Sequence, residues 1–307
     1  MTNWSYEAGN KSGGDPEKIW KWEASNELRF DRALFRQHLN DLKAVGVNAV
    51  ILDVGDALLY DSHPEIAVKG ALTPDEMRAE LDYMNEMGFE VIPKLNFSSA
   101  HDIWMKDYSR MLSTELYYRV VKDLINEVSA IFEPRLFHIG MDEENYECQK
   151  YYDYAVVRQN DLWWHDLYFY IDCVEKNGAR AMMWSDYARN HPEEFVKRCP
   201  KSVVQNVWYY FNKYGDDIEE KFKIRIMPIG VLEEAGFDQI PTASVEYDYD
   251  SLEKLCEYSL EHVSPEHLLG FMQTTWEPVM PHWKYMLDKG NSAIADAICA
   301  YNKKKGK

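Results

Sequence analysis

Short apolar runs alternate with helical patterns along most of the chain. Each run of mostly apolar residues closes in a polar turn, and an amphipathic stretch follows. That alternation is the sequence mark of βα units and a parallel sheet. Eight strands are predicted, at 19–23, 49–54, 90–96, 136–141, 181–185, 203–209, near 240–245 and 268–275. The second to fourth are nearly continuous apolar runs, as expected of strands buried on both faces. Between them, Phe35, Leu39 and Leu42 share one helical face, as do Met77, Leu81 and Met84. Leu116, Val120, Leu124 and Val128 form a third stripe, and Trp163, Leu167, Tyr170 and Val174 a fourth, closed by Asn177-Gly178. Thr73-Pro74-Asp75-Glu76 spells an N-cap, a proline at the first helical position and a capping-box glutamate. The apolar run from Lys223 to Gly230 fits no strand and reads as an insertion before the seventh strand.

Eight such units predict a single-domain α/β fold, the (β/α)8 TIM barrel, over 18–302, with a polar extension at 1–17 and a basic tail at 303–307. An open doubly wound sheet would carry a Gly-rich phosphate loop after its first strand. Here Trp22-Glu23-Ala24-Ser25-Asn26 follows instead.

The length, 307 residues, suits one such barrel, and 46% hydrophobic residues supply its core. A net charge of -18 disfavours nucleic acid and anionic membrane surfaces as partners. No stretch reaches the roughly 20 apolar residues of a membrane span. The polar segment Met1 to Pro16 does not read as a signal peptide, and the five cysteines are scattered without a CxxC pair. A cytoplasmic location is the simplest expectation, with a secreted form open if a signal was removed. Neither a metal nor a cofactor is expected: His101, His138 and the acids could in principle converge on a metal, but no zinc-type or phosphate-loop spacing supports one.

In a barrel, chemistry gathers at the C-terminal ends of the strands. There the chain places Glu23, then Asp53 and Asp56, then Lys94, Asn96 and His101, then Asp142, Glu143 and Glu144. Later strands end in Trp184 and Asp186, in Trp208 and Tyr209, and in Trp276 and Glu277. Carboxylates with aromatic platforms are what glycoside cleavage requires. Negative charge stabilises the oxocarbenium-like transition state, and a protonated acid donates to the leaving oxygen. A DEE run before a helix can also simply favour the helix dipole, and a strand tryptophan can be plain core. His138, inside an apolar strand, reads as a hydrogen-bonded core histidine, and Asp53 as structural.

His138-Ile139-Gly140-Met141-Asp142-Glu143 resembles the His-x-Gly-Gly-Asp-Glu strand end of glycoside hydrolase family 20, the β-N-acetylhexosaminidase family. Gly70-Ala71-Leu72-Thr73-Pro74-Asp75-Glu76-Met77 is similar to the family's turn ahead of its third strand. Val91-Ile92-Pro93-Lys94-Leu95-Asn96 with Ser98-Ser99-Ala100-His101 is similar to its Val-Ile-Pro-Glu-Ile-Asp-x-Pro-Gly-His. Met183-Trp184-Ser185-Asp186, Val204-Gln205-Asn206-Val207-Trp208 and Thr275-Trp276-Glu277 fall at its further active-site tryptophans. The resemblance implies Glu143 as general acid/base and Asp142 as the residue orienting the substrate's own 2-acetamido nucleophile. It implies Trp184, Trp208 and Trp276 as pocket walls and His101 as support for the acid. Glu277 or Asp56 would bind sugar hydroxyls, with Asp186, Asn96 and Tyr247 as further substrate contacts. Lys94 and Asn96 stand where the family has Glu and Asp, and Asn26 stands where it has the Arg after its first strand. The implied partner is an oligosaccharide or glycoside. Two alternatives stay open: a conventional carboxylate nucleophile such as Glu277 acting on a non-acetamido sugar, and a sugar-binding barrel without catalysis.

Overall fold

A computed structural model describes residues 25–150 and 155–304 of the chain. The strand expected at 19–23, with Glu23, and the extension at 1–17 lie outside the described residues. In chain order the elements are α1 (Arg32–Ala44), β1 (Ala49–Asp53), α2 (Pro74–Glu86), β2 (Glu90–Lys94), α3 (Glu115–Phe132), β3 (Leu136–His138), α4 (Tyr146–Gln149), α5 (Asn160–Lys176) and β4 (Arg180–Trp184). There follow α6 (Asp186–Asn190), α7 (Pro192–Arg198), β5 (Val204–Asn206), α8 (Glu220–Ile226), α9 (Pro228–Glu234), β6 (Thr242–Ser244), α10 (Ser251–His262), β7 (Met272–Thr274) and α11 (Lys284–Lys304). The described residues divide into two compact units, those within Met1–Phe30 and Asn48–Ala181 and those within Asp31–Val47 and Met182–Lys307.

In the first unit β1 and β2 pair in parallel, from Ala49 opposite Glu90 to Asp53 opposite Lys94. β2 pairs with β3 in parallel at Lys94 and His138. The capping box of α2 is complete: the Thr73 hydroxyl accepts the Glu76 N–H, and the Glu76 carboxylate accepts the Thr73 N–H. Met77, Leu81 and Met84 of α2 are buried as the pattern predicts. The stripe of α3 is offset at its start: Leu116 is exposed and its neighbour Tyr117 is buried in its place, while Val120, Leu124 and Val128 are buried as the pattern predicts. Trp163, Leu167, Tyr170 and Val174 of α5 are all buried, and Gly178 ends that helix at φ +81°.

In the second unit β4 pairs in parallel with β5 over Met182–Trp184 and Val204–Asn206. β6 pairs in parallel with β7. Isolated bridges join Trp208 to Thr242 and Gln239 to Leu268, so the strands predicted here are three residues long, and beyond them their pairing is reduced to single contacts. The run 223–230 is no strand: it forms the end of α8 and the start of α9, broken where Pro228 opens the second helix without an N–H to continue the first. α11 lies close to the segment after β7, since a Cβ on Gly290 would sit 2.7 Å from the Thr275 methyl. Lys303 and Lys304 belong to this helix. No described helix is long and apolar enough to cross a membrane.

Candidate active site

The first unit builds its site from the ends of three strands. β3 stops at His138 because Gly140 (φ +78°) and Met141 (φ +75°) turn left-handed, and Glu143 (φ +55°) does so again. A run of side-chain-bearing residues at positive φ is strained backbone that the surroundings must hold in place. Gly140 is required for a second reason. A Cβ there would lie 1.8 Å from Asn96 Oδ1 and 2.8 Å from the Asn96 Cα. The strand end therefore presses directly on Asn96, which follows β2.

That turn fans three consecutive acids into three environments. Asp142 Oδ1 accepts the Asn96 amide at 2.9 Å, and Asp142 Oδ2 lies 3.4 Å from His101 Nε2. Glu143 Oε2 lies 3.1 Å from the same His101 nitrogen. Glu144 takes a third direction, into the interior. It accepts hydrogen bonds from the Arg158 guanidinium, from Trp163 Nε1 at 2.8 Å and from the Ser99 N–H at 2.9 Å. Side-chain exposure follows: 34% for Glu143, 14% for Asp142 and 7% for Glu144. Two acids are reachable from solvent, and the third is an anchor.

His101 is buried between the two reachable carboxylates. Burial pulls its imidazole down, but the charges of Asp142 and Glu143 and the Glu143 hydrogen bond outweigh burial and the opposing Lys94, raising it from 6.5 to about 9. At neutral pH it is an imidazolium. His138 is the contrary case. Burial, aided by Lys94, holds it well below its ordinary value, and its Nδ1 accepts the Gly140 N–H at 3.0 Å. It is a neutral core histidine, as its place in an apolar strand predicts. Lys94 forms an ion pair with Asp53, directly opposite in the parallel register, which engages one Asp53 oxygen. Asp56 sits in the 3-10 turn after β1, 2% exposed, its carbonyl accepting the Val68 N–H.

The second unit gathers the aromatic residues. Trp184, 2% exposed, packs against Trp276 with ring centroids 5.7 Å apart. Trp276 holds a left-handed φ of +56° and donates its indole N–H to the Tyr210 hydroxyl at 3.1 Å. Trp208 donates to Asp186 Oδ2 at 2.7 Å, and Arg189 donates to Asp186 Oδ1 at 2.9 Å. The Arg189 and Arg225 guanidinium carbons lie 5.0 and 5.1 Å from the Trp208 ring centroid. Asp186 is thus committed to orienting an indole and a guanidinium. Glu277 follows the strained Trp276 and is half-buried. Tyr247 is 64% exposed, its ring 4.8 Å from that of Phe211.

Sequence reasoning missed Arg158, Ser98 and Tyr210. Arg158 has a side chain only 1% exposed and binds Glu144, Asp166 and the Phe97 carbonyl. Nothing in the local spelling Val156-Val157-Arg158 marks a buried arginine, because Glu144, Asp166 and the Phe97 carbonyl are brought around it only by the fold. Among the described residues, no group of three or more His, Cys, Asp or Glu side chains is placed to hold a metal ion.

The family model for the catalytic domain of glycosyl hydrolase family 20 matches residues 111–297. The chain belongs to glycosyl hydrolase family 20. The match spans Asp142, Glu143, Trp184, Asp186, Trp208, Tyr247, Trp276 and Glu277, while Asn96 and His101 precede it. Among family 20 relatives, lacto-N-biosidase of Bifidobacterium bifidum is 22% identical over 198 residues, 56% of this chain and 17% of that protein. The Flavobacterium johnsoniae chitobiase structure shares the fold at a TM-score of 0.67 and 16% identity, over 87% of this chain and 46% of its own. The family 20 exo-β-N-acetylglucosaminidase of Vibrio harveyi, solved in complex with N-acetylglucosamine, gives a TM-score of 0.61 at 17% identity, over 88% and 52%. The chain spans about half the length of these solved structures and a smaller share of the curated relative.

Proposed function

We propose that the chain is a retaining exo-glycoside hydrolase that removes terminal β-linked N-acetylhexosamine by substrate-assisted catalysis, on a closed, single-domain (β/α)8 barrel over 18–302. The observation that carries this reading is the pair of reachable carboxylates, Asp142 and Glu143, held by one buried imidazolium 3.4 and 3.1 Å away. Membership of family 20 supports the reaction class.

Glu143, the more exposed acid, protonates the glycosidic oxygen as the aglycone leaves. The carbonyl oxygen of the substrate's 2-acetamido group attacks the anomeric carbon and closes an oxazolinium ring. Asp142 accepts the acetamido N–H, and its negative charge offsets the positive charge that the ring acquires. Glu143, now a carboxylate, takes a proton from water, which opens the ring from the opposite face. Two inversions give retention, in the substrate-assisted exception to the two-carboxylate scheme. Trp276 and Trp208 carry sugar contact, with Trp184 packed behind Trp276; Glu277, Asp56 and Tyr247 remain candidates for hydroxyl recognition. The partner is an oligosaccharide or simpler glycoside.

Chromogenic β-glycosides with and without a 2-acetamido group test the proposal. Turnover is expected only on the acetamido substrates, and Asp142→Ala and Glu143→Gln should each lower kcat by about 10²- to 10⁴-fold. Unchanged turnover in both variants defeats the reading. A covalent fluoro-sugar adduct detected by mass spectrometry would transfer the nucleophile's role to a carboxylate such as Glu277.

A further inference from the structure

Asn96 is 1% exposed and has no freedom to turn its amide over. Its Oδ1 accepts the Ser98 N–H at 3.0 Å, which leaves Nδ2 as the atom 2.9 Å from Asp142 Oδ1. A flipped amide would set two donors against each other at Ser98 and two acceptors against each other at Asp142. Gly140 crowds Asn96 from the β3 side, so the amide cannot retreat. The Ser98 hydroxyl also donates to the Asp142 carbonyl, tying the same two segments together a second time. Each Asp142 oxygen thus faces a donor: a neutral amide on one side, His101 Nε2 on the other.

We infer that Asn96 is a positioning residue that holds Asp142 in one orientation through a neutral amide donor, with no proton shared between the two side chains. The inference rests on the proposed role of Asp142. Oδ1 accepts the Asn96 amide and Oδ2 faces His101 Nε2 at 3.4 Å, so both oxygens meet donor groups and a carboxylate is the form these surroundings fit. The other charged groups around the pair are already matched. Lys94 on β2 is paired with Asp53 on β1. His101 also holds Glu143. Glu144, on the same turn, is neutralised by Arg158. The resemblance to family 20 places an aspartate where this chain has Asn96. Here an aspartate would bring two carboxyl groups within hydrogen-bond reach, and such a pair retains one proton to higher pH.

The test is the pH profile of kcat and of kcat/KM for an aryl N-acetyl-β-glucosaminide, in the full chain and in Asn96→Asp. The variant keeps side-chain volume and an acceptor for the Ser98 N–H. Its acid limb is expected to move up by about one unit or more, with activity on the alkaline side of the new limb within about tenfold of the parent. A merely structural role would lower activity equally at every pH and leave the limb in place, and that result overturns the inference. A carbon NMR titration of the unaltered protein, with the Asp142 resonance assigned by its loss in Asp142→Asn, gives a second reading that requires no Asn96 variant to fold. The Asp142 carboxyl signal should be that of the ionised form throughout the pH range in which the parent is active; the signal of a neutral carboxyl in that range would also overturn the inference. If Asp142→Ala is fully active, the proposed function fails instead, whatever the titration shows.

Discussion

The His101 imidazole carries a charge that its burial alone would remove. Its raised value, about 9 against 6.5 when free, has a definite consequence for stability. The folded state binds the proton more tightly than the unfolded state. The extra stability is therefore fully present below about pH 6.5 and is lost as pH rises toward about 9. The size is on the order of 3 kcal/mol, for a group that is almost wholly buried. Urea unfolding of the parent and His101→Gln should show their stability difference shrinking between about pH 6 and pH 9.5. A constant difference across that range would mean that the imidazole is neutral in the folded protein. At this scale the sequence marks which residues are chemical but not how they divide their labour. Asp142, Glu143 and Glu144 are adjacent and alike on paper. What separates them is three left-handed residues and the Arg158 guanidinium.

At the scale of elements, periodicity locates helices well and their edges less well. α3 shows why. Its stripe includes Leu116 by spacing, yet Leu116 is 38% exposed while Leu124 is fully buried. Tyr117, beside it in the same turn, is fully buried, so the packed face lies one residue further round the helix at that end, an offset that an i, i+4 repeat cannot reveal. Leu124→Ala should cost about 2 to 5 kcal/mol, whereas Leu116→Ala should stay within about 0.5 kcal/mol. Denaturant midpoints of the two variants check this directly, and equal losses would show that the helix is seated differently. Strand ends follow the same logic. Apolar residues continue past His138 to Met141, but positive φ at Gly140 and Met141 takes the backbone out of the strand. Hydrophobicity records burial, not the dihedral that stops a ladder.

On the scale of the whole molecule, the largest feature the sequence conceals is the buried charge network around Arg158. Its guanidinium meets Glu144 and Asp166, and Asp166 also accepts the hydroxyls of Ser113 at 2.7 Å and Tyr118 at 2.5 Å. The cation thus ties the turn after β3 to α5, and Asp166 carries the tie on to Tyr118 of α3. Removing it strands two buried carboxylates, so Arg158→Ala should cost about 3 to 5 kcal/mol. It should also loosen the turn that carries Asp142 and Glu143. Calorimetry of the variant beside the parent measures the first effect; a loss below about 1 kcal/mol would show that water replaces the guanidinium.

The order of units, the parallel class of the sheet, the capped helix after Thr73 and the acids after the fourth predicted strand were all written in the sequence. Each depends on local spacing or on residues a few positions apart, where chain connectivity itself guarantees proximity. The sharing of His101 by two carboxylates, the wedge of Gly140 against Asn96, the interior anchoring of Glu144 by Arg158 and the pairing of Trp184 with Trp276 were decided only by the fold. Those contacts join residues distant along the chain, and their strength comes from burial and angle, which no linear pattern of residue types encodes.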